Sequence, residues 1–293
     1  MNNDPEMISG APRESDFLAE DLVKLIENGT TLDQAKKLIE AGANLNSRRV
    51  NEKTPLLAAC LSNNIEMAEF LLNEGADINL PGYYLGSTPI ILAATHNNIE
   101  LVSFLIDRGA NIDTKDLYGF TALMHACENT HNHMAIMLIE KRANVNCANK
   151  AGVTPLILCC KSNNTYIASI LLEKGADVNM HGHSDALVYA CKSNNIETVK
   201  LLVEHRAKVD LYLLSELMSG YISWFMQIKD IPKKLVTNPN ALEECEPLTI
   251  NLNCEITPEI FDCLHFPPEF AGKVSVVNML GQEMPLHFHD YYE

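Results

Sequence analysis

Positive charge is scarce in this chain. Its 293 residues carry 22 Lys and Arg against 38 Asp and Glu, a formal net charge of −16 and a pI of about 5.0. A nucleic-acid phosphate backbone needs a basic face, so no nucleic acid is expected as partner. Long apolar runs are also missing. None reaches the ~18 uninterrupted residues of a membrane span, and the closest, Leu211 to Met226, is broken by Ser215, Glu216, Ser219 and Ser223. The stretch Met1 to Ser15 is polar and lacks the charged-then-apolar order of a secretory signal. Nine cysteines form an odd set without the spacing of a disulfide framework, which fits reduced thiols. Together these absences predict a soluble, cytoplasmic, monomeric protein with no membrane partner. Catalytic signatures are lacking as well: there is no Gly-x-Ser-x-Gly, no phosphate loop and no His-Glu-x-x-His. No enzyme activity, cofactor or metal is expected.

Apolar residues are plentiful at 47%, enough for a packed core and too many for a disordered chain. They recur. Thr54-Pro-Leu returns as Thr88-Pro-Ile, Thr121-Ala-Leu and Thr154-Pro-Leu, at steps of 34, 33 and 33 residues, and more weakly as Asp185-Ala-Leu after 31. A second marker keeps step: Gly75-Ala-Asp-Ile-Asn79, Gly109-Ala-Asn-Ile-Asp113, Arg142-Ala-Asn-Val-Asn146, Gly175-Ala-Asp-Val-Asn179 and Arg206-Ala-Lys-Val-Asp210. Gly42-Ala-Asn-Leu-Asn46 precedes them without a Thr-Pro-Leu. Two markers at one period make a repeat array.

Each unit has a physical interpretation. Thr is an N-cap that satisfies free first-turn amides, and Pro at the first helical position loses nothing by its missing N–H. Leu56 to Cys60 then form a short, almost wholly apolar helix that must be buried on several sides. Asn63-Asn64 breaks it. A second helix follows with Ile65, Met67, Ala68, Phe70, Leu71 and Leu72 at inward spacing, and Gly75 closes it in the left-handed conformation.

This pattern resembles the ankyrin repeat over roughly Asp16 to Asp210. The resemblance implies an all-α solenoid: stacked helix–turn–helix units with projecting β-hairpin fingers, here followed by a short C-terminal cap and an irregular tail. Neighbouring units stabilise one another in such a stack. Two departures have consequences. Leu57, Ile91, Met124, Ile157 and Val188 stand where the family usually has His after Thr-Pro-Leu, so the family's Thr–His hydrogen bond is absent. Arg142 and Arg206 stand where Gly is usual, at a cost of roughly 1 kcal/mol each if left-handed.

The expected organisation is a disordered 1–15, then a repeat domain over 16–210. That domain comprises a divergent first repeat at 16–46 and repeats at about 47–79, 80–113, 114–146, 147–179 and 180–210. In the first, Phe17, Leu18, Leu22, Val23, Leu25 and Ile26 form an amphipathic helix, and Thr31 with Gln34 makes a capping-box pattern for the next. A capping helix is expected within 211–230, where Leu214, Leu217, Met218, Tyr221, Ile222 and Phe225 share one stripe beside Trp224, the only tryptophan. Residues 231–293 are an acidic, Pro-containing tail; from Asn240 onward there are ten acidic residues and one Lys. Thr249-Ile-Asn-Leu there suggests a strand and Pro258 to Leu264 a helical turn.

Cys60, Cys127, Cys160 and Cys191 occupy one small, buried helical position, which Ala94 fills in the second unit. Equivalent helices sit ~8–10 Å apart, too far to share a zinc ion. His131 and His133 flank a helix–helix turn, His181 and His183 lie in a shortened finger, and His287-Phe-His289-Asp290 is a loop cluster better explained by solvation.

The variable surface remains. In ankyrin families partners bind the finger tips and the groove lined by the first helices. By register, Tyr83, Tyr84, Leu85, Leu117, Tyr118 and Phe120 put apolar bulk on two adjacent fingers, while His96 and Glu128 fall in the groove. Asp113 and Asp116 flank the apolar patch. The expected function is a non-catalytic protein–protein interaction module, a scaffold, adaptor or inhibitor. Its partner is another protein with an apolar centre and a basic rim. The alternative is a substrate receptor or effector whose C-terminal segment recruits a second protein or carries a small modifying activity. Leu71 with Asp77-Ile-Asn79, and Leu171 with Asp177-Val-Asn179, also resemble sites of the asparagine hydroxylase that modifies many ankyrin proteins, so Asn79 and Asn179 are candidate modification sites.

Overall fold

The computed structural model describes residues 13–47, 53–82, 85–180 and 185–208, together with five short strands between 248 and 288. Among the described residues twelve helices follow in order: α1 (Glu14–Glu27), α2 (Leu32–Glu40), α3 (Pro55–Leu61), α4 (Ile65–Asn73), α5 (Pro89–Thr95), α6 (Ile99–Asp107), α7 (Ala122–Glu128), α8 (Asn132–Glu140), α9 (Pro155–Lys161), α10 (Thr165–Glu173), α11 (Ala186–Lys192) and α12 (Ile196–Glu204). The architecture is an all-α repeat array of helix pairs. It divides into two compact units, Met1–Ala126 and Cys127–Glu293. In the first, α3 packs on α1, α4 and α5, and α5 on α6; in the second, α9 packs on α10 and α11, α11 on α12, and α10 on α8 and α12.

The short first helices are buried almost whole. Pro55 through Cys60 in α3 and Pro155 through Cys160 in α9 are all inaccessible, which explains why they contain no charge before their last residue. Small side chains at Ala58, Ala59, Ala93 and Ala94 let successive helices approach closely. Longer second helices bury one stripe only: Met67, Ala68 and Leu71 in α4, and Leu101, Val102 and Leu105 in α6.

Both sequence markers have a structural cause. Gly75 is left-handed (φ 96°); its N–H reaches the Leu72 carbonyl, and the Ala76 N–H reaches that of Leu71 at 2.9 Å. This is the paired Schellman closure, repeated by Ala110, Ala143, Ala176 and Ala207 on Leu105, Leu138, Leu171 and Leu202. Arg142 and Arg206 hold the same conformation at φ 67° and 65°, as their register predicts. The Asn-Asn pair does two jobs. Asn63 ends the first helix in the left-handed region at φ 51°, and Asn64 then caps the second by accepting from the Met67 N–H at 2.9 Å. Asn97-Asn98, Asn163-Asn164 and Asn194-Asn195 do the same. The third repeat differs: Thr130 is left-handed at φ 56°, and His131 makes no side-chain cap, its buried Nδ1 having no hydrogen-bond partner.

The Thr caps hold with one exception. Thr54, Thr121 and Thr154 accept from Leu57, Met124 and Ile157, whereas the Thr88 hydroxyl shares a 2.8 Å hydrogen bond with that of Thr114. The capping box expected of Thr31 and Gln34 does not form. Thr31 has no side-chain cap, and Gln34 Oε1, the acceptor of the reciprocal half, is taken by the Thr30 hydroxyl at 2.6 Å.

Asp and Asn of the second marker build the finger bases. Asp77 Oδ1 accepts from its own Asn79 N–H, while the Asn46 side chain accepts from the Asp77 N–H, both at 2.9 Å. Asn79 continues the column to the Asn111 N–H at 2.9 Å; in the second unit, Asn146 reaches the Asp177 N–H and Asn179 the Lys208 N–H. Within each unit, two pairs of successive repeats are thus tied by a side chain on main chain.

No strand occurs in the described finger residues. The arms are too short for a ladder and close by single hydrogen bonds, Gly82 to Ser87, Asp116 to Phe120 and Asn149 to Val153. Among the described residues strands occur only in the C-terminal segment: β1 (Leu248–Asn251), β2 (His265–Phe266), β3 (Val274–Val277), β4 (Glu283–Met284) and β5 (His287–Phe288). The strand expected at Thr249 is β1, which pairs parallel with β3; β3 pairs antiparallel with β4, and β2 parallel with β5. The capping helix expected from Leu214 to Phe225, the turn at Pro258 to Leu264, and His181, His183 and His289 lie outside the described residues.

Candidate partner-binding surface

The second and third fingers belong to the first unit. Their tips are joined through the main chain: the Leu117 N–H donates to the Leu85 carbonyl at 2.9 Å. Gly86 makes that approach feasible. It is left-handed at φ 65°, and a Cβ placed there would lie 2.9 Å from Leu117 Cγ and 3.1 Å from the Leu117 nitrogen. Glycine is required here for conformation and for space.

This seam leaves three large apolar side chains in solvent, Leu85 at 44% exposure, Leu117 at 52% and Tyr118 at 63%. Isolated exposed apolar residues are ordinary, but three on joined fingers form a patch. Phe120 behaves differently. It is half-buried, with its ring 5.2 Å from that of His125, so it is the patch's support. Tyr83 and Tyr84 lie outside the described residues.

Asp116, expected on the rim, is buried at 8% exposure. Its Oδ1 accepts from the N–H groups of Tyr118 and Phe120, both at 2.9 Å, and its Oδ2 accepts from His125 Nε2 at 3.0 Å. A carboxylate withdrawn from water needs such donors. The charges left on this finger are the half-buried Asp113 and the exposed Lys115. His96 is exposed at the end of α5, where its Nδ1–H donates to the Leu92 carbonyl at 2.9 Å and fixes the tautomer. Glu128 is exposed at the end of α7. Asn79 and Asn179 are half-buried with their amide oxygens engaged as described above.

His125 had a sequence signal. Asp five residues before the repeat's Thr and His four residues after it coincide only around Thr121. A His inside an apolar helix carries no such signal by itself; only its pairing with Asp116 does.

Among the described residues the cysteines form no reactive site. All six in the described residues are buried. Burial pushes the Cys60 thiol up to about 12, and Cys127 is raised by its hydrogen bond with Cys159 and by burial. Among the described residues no three His, Cys, Asp or Glu side chains converge as metal ligands, and no helix is long and apolar enough to cross a membrane.

A family model described as ankyrin repeats in three copies matches this chain three times, over residues 22–116, 81–149 and 123–213. Comparison with curated proteins gives no match.

Proposed function

Since the chain belongs to the ankyrin repeat family, whose repeats are in general protein–protein interaction modules, we propose that it binds another protein through the second and third fingers. It acts as a non-catalytic scaffold, adaptor or inhibitor. The observation that supports this most is the exposure of Leu85, Leu117 and Tyr118 on fingers already fixed by a backbone hydrogen bond. Tyr offers large contact area while ordering only two torsions, and a rigid loop has little conformational freedom left to lose on binding. The partner has an apolar centre to meet these side chains. Its rim is basic, which suits a chain of net charge −16.

The test begins with photocrosslinking groups at positions 85, 117 and 118, with position 166 as comparison, since Tyr166 is equally exposed but lies on α10. The protein captured at the fingers is then titrated against the wild type, Leu117→Ala and Tyr118→Ala. Each substitution should weaken binding by ~1–3 kcal/mol and leave the melting temperature unchanged. Normal affinity in both variants would refute the proposal. Early melting would assign these side chains to the core.

A further inference from the structure

We propose that His125 is a positioning residue for the third finger, holding through Asp116 the conformation that displays Leu117 and Tyr118. This rests on the function proposed above only for its purpose; the clamp itself is a property of the free chain.

The molecule contains its own comparison. In the fourth repeat Asn149 stands where the third has Asp116, and its Oδ1 accepts from the N–H groups of Ala151 and Val153, both at 2.9 Å. These are the same two turn bonds that Asp116 makes to Tyr118 and Phe120. Leu158, fully within the core, stands where the third repeat has His125. A neutral amide with an apolar partner is therefore sufficient to close a finger of this length. The third repeat instead buries a carboxylate with a second oxygen that must be satisfied, and His125 Nε2–H supplies the donor.

The imidazole also touches the finger directly, through the ring of Phe120. One side chain on α7 thus grips the turn at two points, the carboxylate at its start and the aromatic at its end. The Asp116 N–H to Phe120 carbonyl bond at 3.0 Å closes the loop between them, and the Gly119 N–H to Asp116 carbonyl bond at 2.9 Å folds its tip. Leu117 and Tyr118 are the residues inside this loop, so their outward placement is fixed by groups that are themselves buried or half-buried. In the fourth finger Lys150 and Ala151 occupy the corresponding places, and no buried charge holds them.

Hydrogen–deuterium exchange of the free full chain tests the clamp. In His125→Leu the Tyr118 and Phe120 amides should exchange at least about tenfold faster, the effect of losing one charge-assisted hydrogen bond. Amides of α9 and α10 should be unchanged. The double variant Asp116→Asn/His125→Leu copies the Asn149 and Leu158 pairing and should restore the slow exchange. Unchanged protection in His125→Leu overturns the proposal. So does failure of the double variant to rescue, which would assign the effect to lost packing against Phe120. A second measurement needs no substitution at 125: imidazole nitrogen shifts of the wild type should show Nε2 protonated, and a neutral ring protonated on Nδ1 overturns the clamp. None of these results depends on whether Tyr118→Ala changes partner binding, so the two proposals fail separately.

Discussion

Thr130 and His131 stand where four other repeats have Asn-Asn, at Asn63-Asn64, Asn97-Asn98, Asn163-Asn164 and Asn194-Asn195, and restoring that pair should stabilise the protein. Thr130 is held at φ 56°. A left-handed L-residue costs roughly 1–2 kcal/mol, and Asn recovers part of this by tolerating the region. Thr is also β-branched, which makes it a poor occupant. His131 precedes α8 without capping it, whereas Asn64 caps α4 through the Met67 N–H; regaining a cap contributes ~1 kcal/mol. The buried, unpartnered Nδ1 of His131 is removed by the same change. Thr130→Asn/His131→Asn should therefore gain about 2 kcal/mol, or ~4–8 °C in melting temperature for an array of this size. Thermal melts and urea titrations of the two single variants and the double provide the assay. An unchanged or lower midpoint in the double would refute the claim that these residues are misfits. Arg142→Gly provides an independent check of the same backbone logic, with a gain of ~1 kcal/mol. Its mirror image is Gly175→Arg, where an added Cβ meets nothing within 4 Å and only the conformational penalty is measured.

The buried cysteines set two further expectations. Cys60, Cys127, Cys147, Cys159, Cys160 and Cys191 should resist a thiol reagent in the native protein and react only on unfolding; labelling of Cys60 at the rate of a free thiol would show that α3 is not packed as described. Cys60 titrates in the folded state at about 12 against an ordinary 9.0, so the unfolded thiol ionises first. Its contribution is complete below about pH 9 and is lost as pH rises toward 12, and Cys60→Ala should flatten the fall in urea midpoint over that window. For the candidate modification sites, co-incubation with an asparagine hydroxylase should add oxygen at Asn79 or Asn179 by intact mass and fragmentation. No addition, with a control substrate modified in parallel, would end that idea.

The repeat register was legible because the same physical demand recurs at every period. A left-handed residue must close each second helix, so Gly or a substitute appears on schedule, and Arg142 and Arg206 could be assigned from position alone. The burial of Leu56 to Cys60 followed from an apolar run too short and too uniform to leave one face in water. What escaped was the direction of individual polar groups. Nothing in the sequence distinguishes Thr88, whose hydroxyl turns to Thr114, from Thr54, which caps its helix. Thr30 and Thr31 compete for Gln34, and only three-dimensional geometry decides for Thr30. The candidate surface was half legible. Leu85, Leu117 and Tyr118 are exposed as finger register implies, but Asp116 turned inward and Phe120 settled on His125, because that half-buried imidazole on α7 offered both a partner.

That exchange explains how an array can vary its fingers without losing its stack. In one unit Asn46 and Asn79, and in the other Asn146 and Asn179, fix finger bases to the following repeat through main-chain N–H groups, below the residues that differ between repeats. Stability then sums over helix pairs and their neighbours, and the tip contributes little to it. A tip left free would also be disordered, and a disordered tip binds weakly because its entropy is lost on contact. The third repeat meets both demands by ordering its tip from inside, with Asp116 and His125 below and the Leu85 carbonyl alongside. It does so while its helix–helix turn holds a left-handed Thr130 and an uncapping His131. Local structure at the finger and local structure at the turn are separate loops of one repeat. Repairing the turn should therefore raise stability without altering exchange at Tyr118 and Phe120, and a change at those amides in Thr130→Asn/His131→Asn would show that the two are coupled through α7.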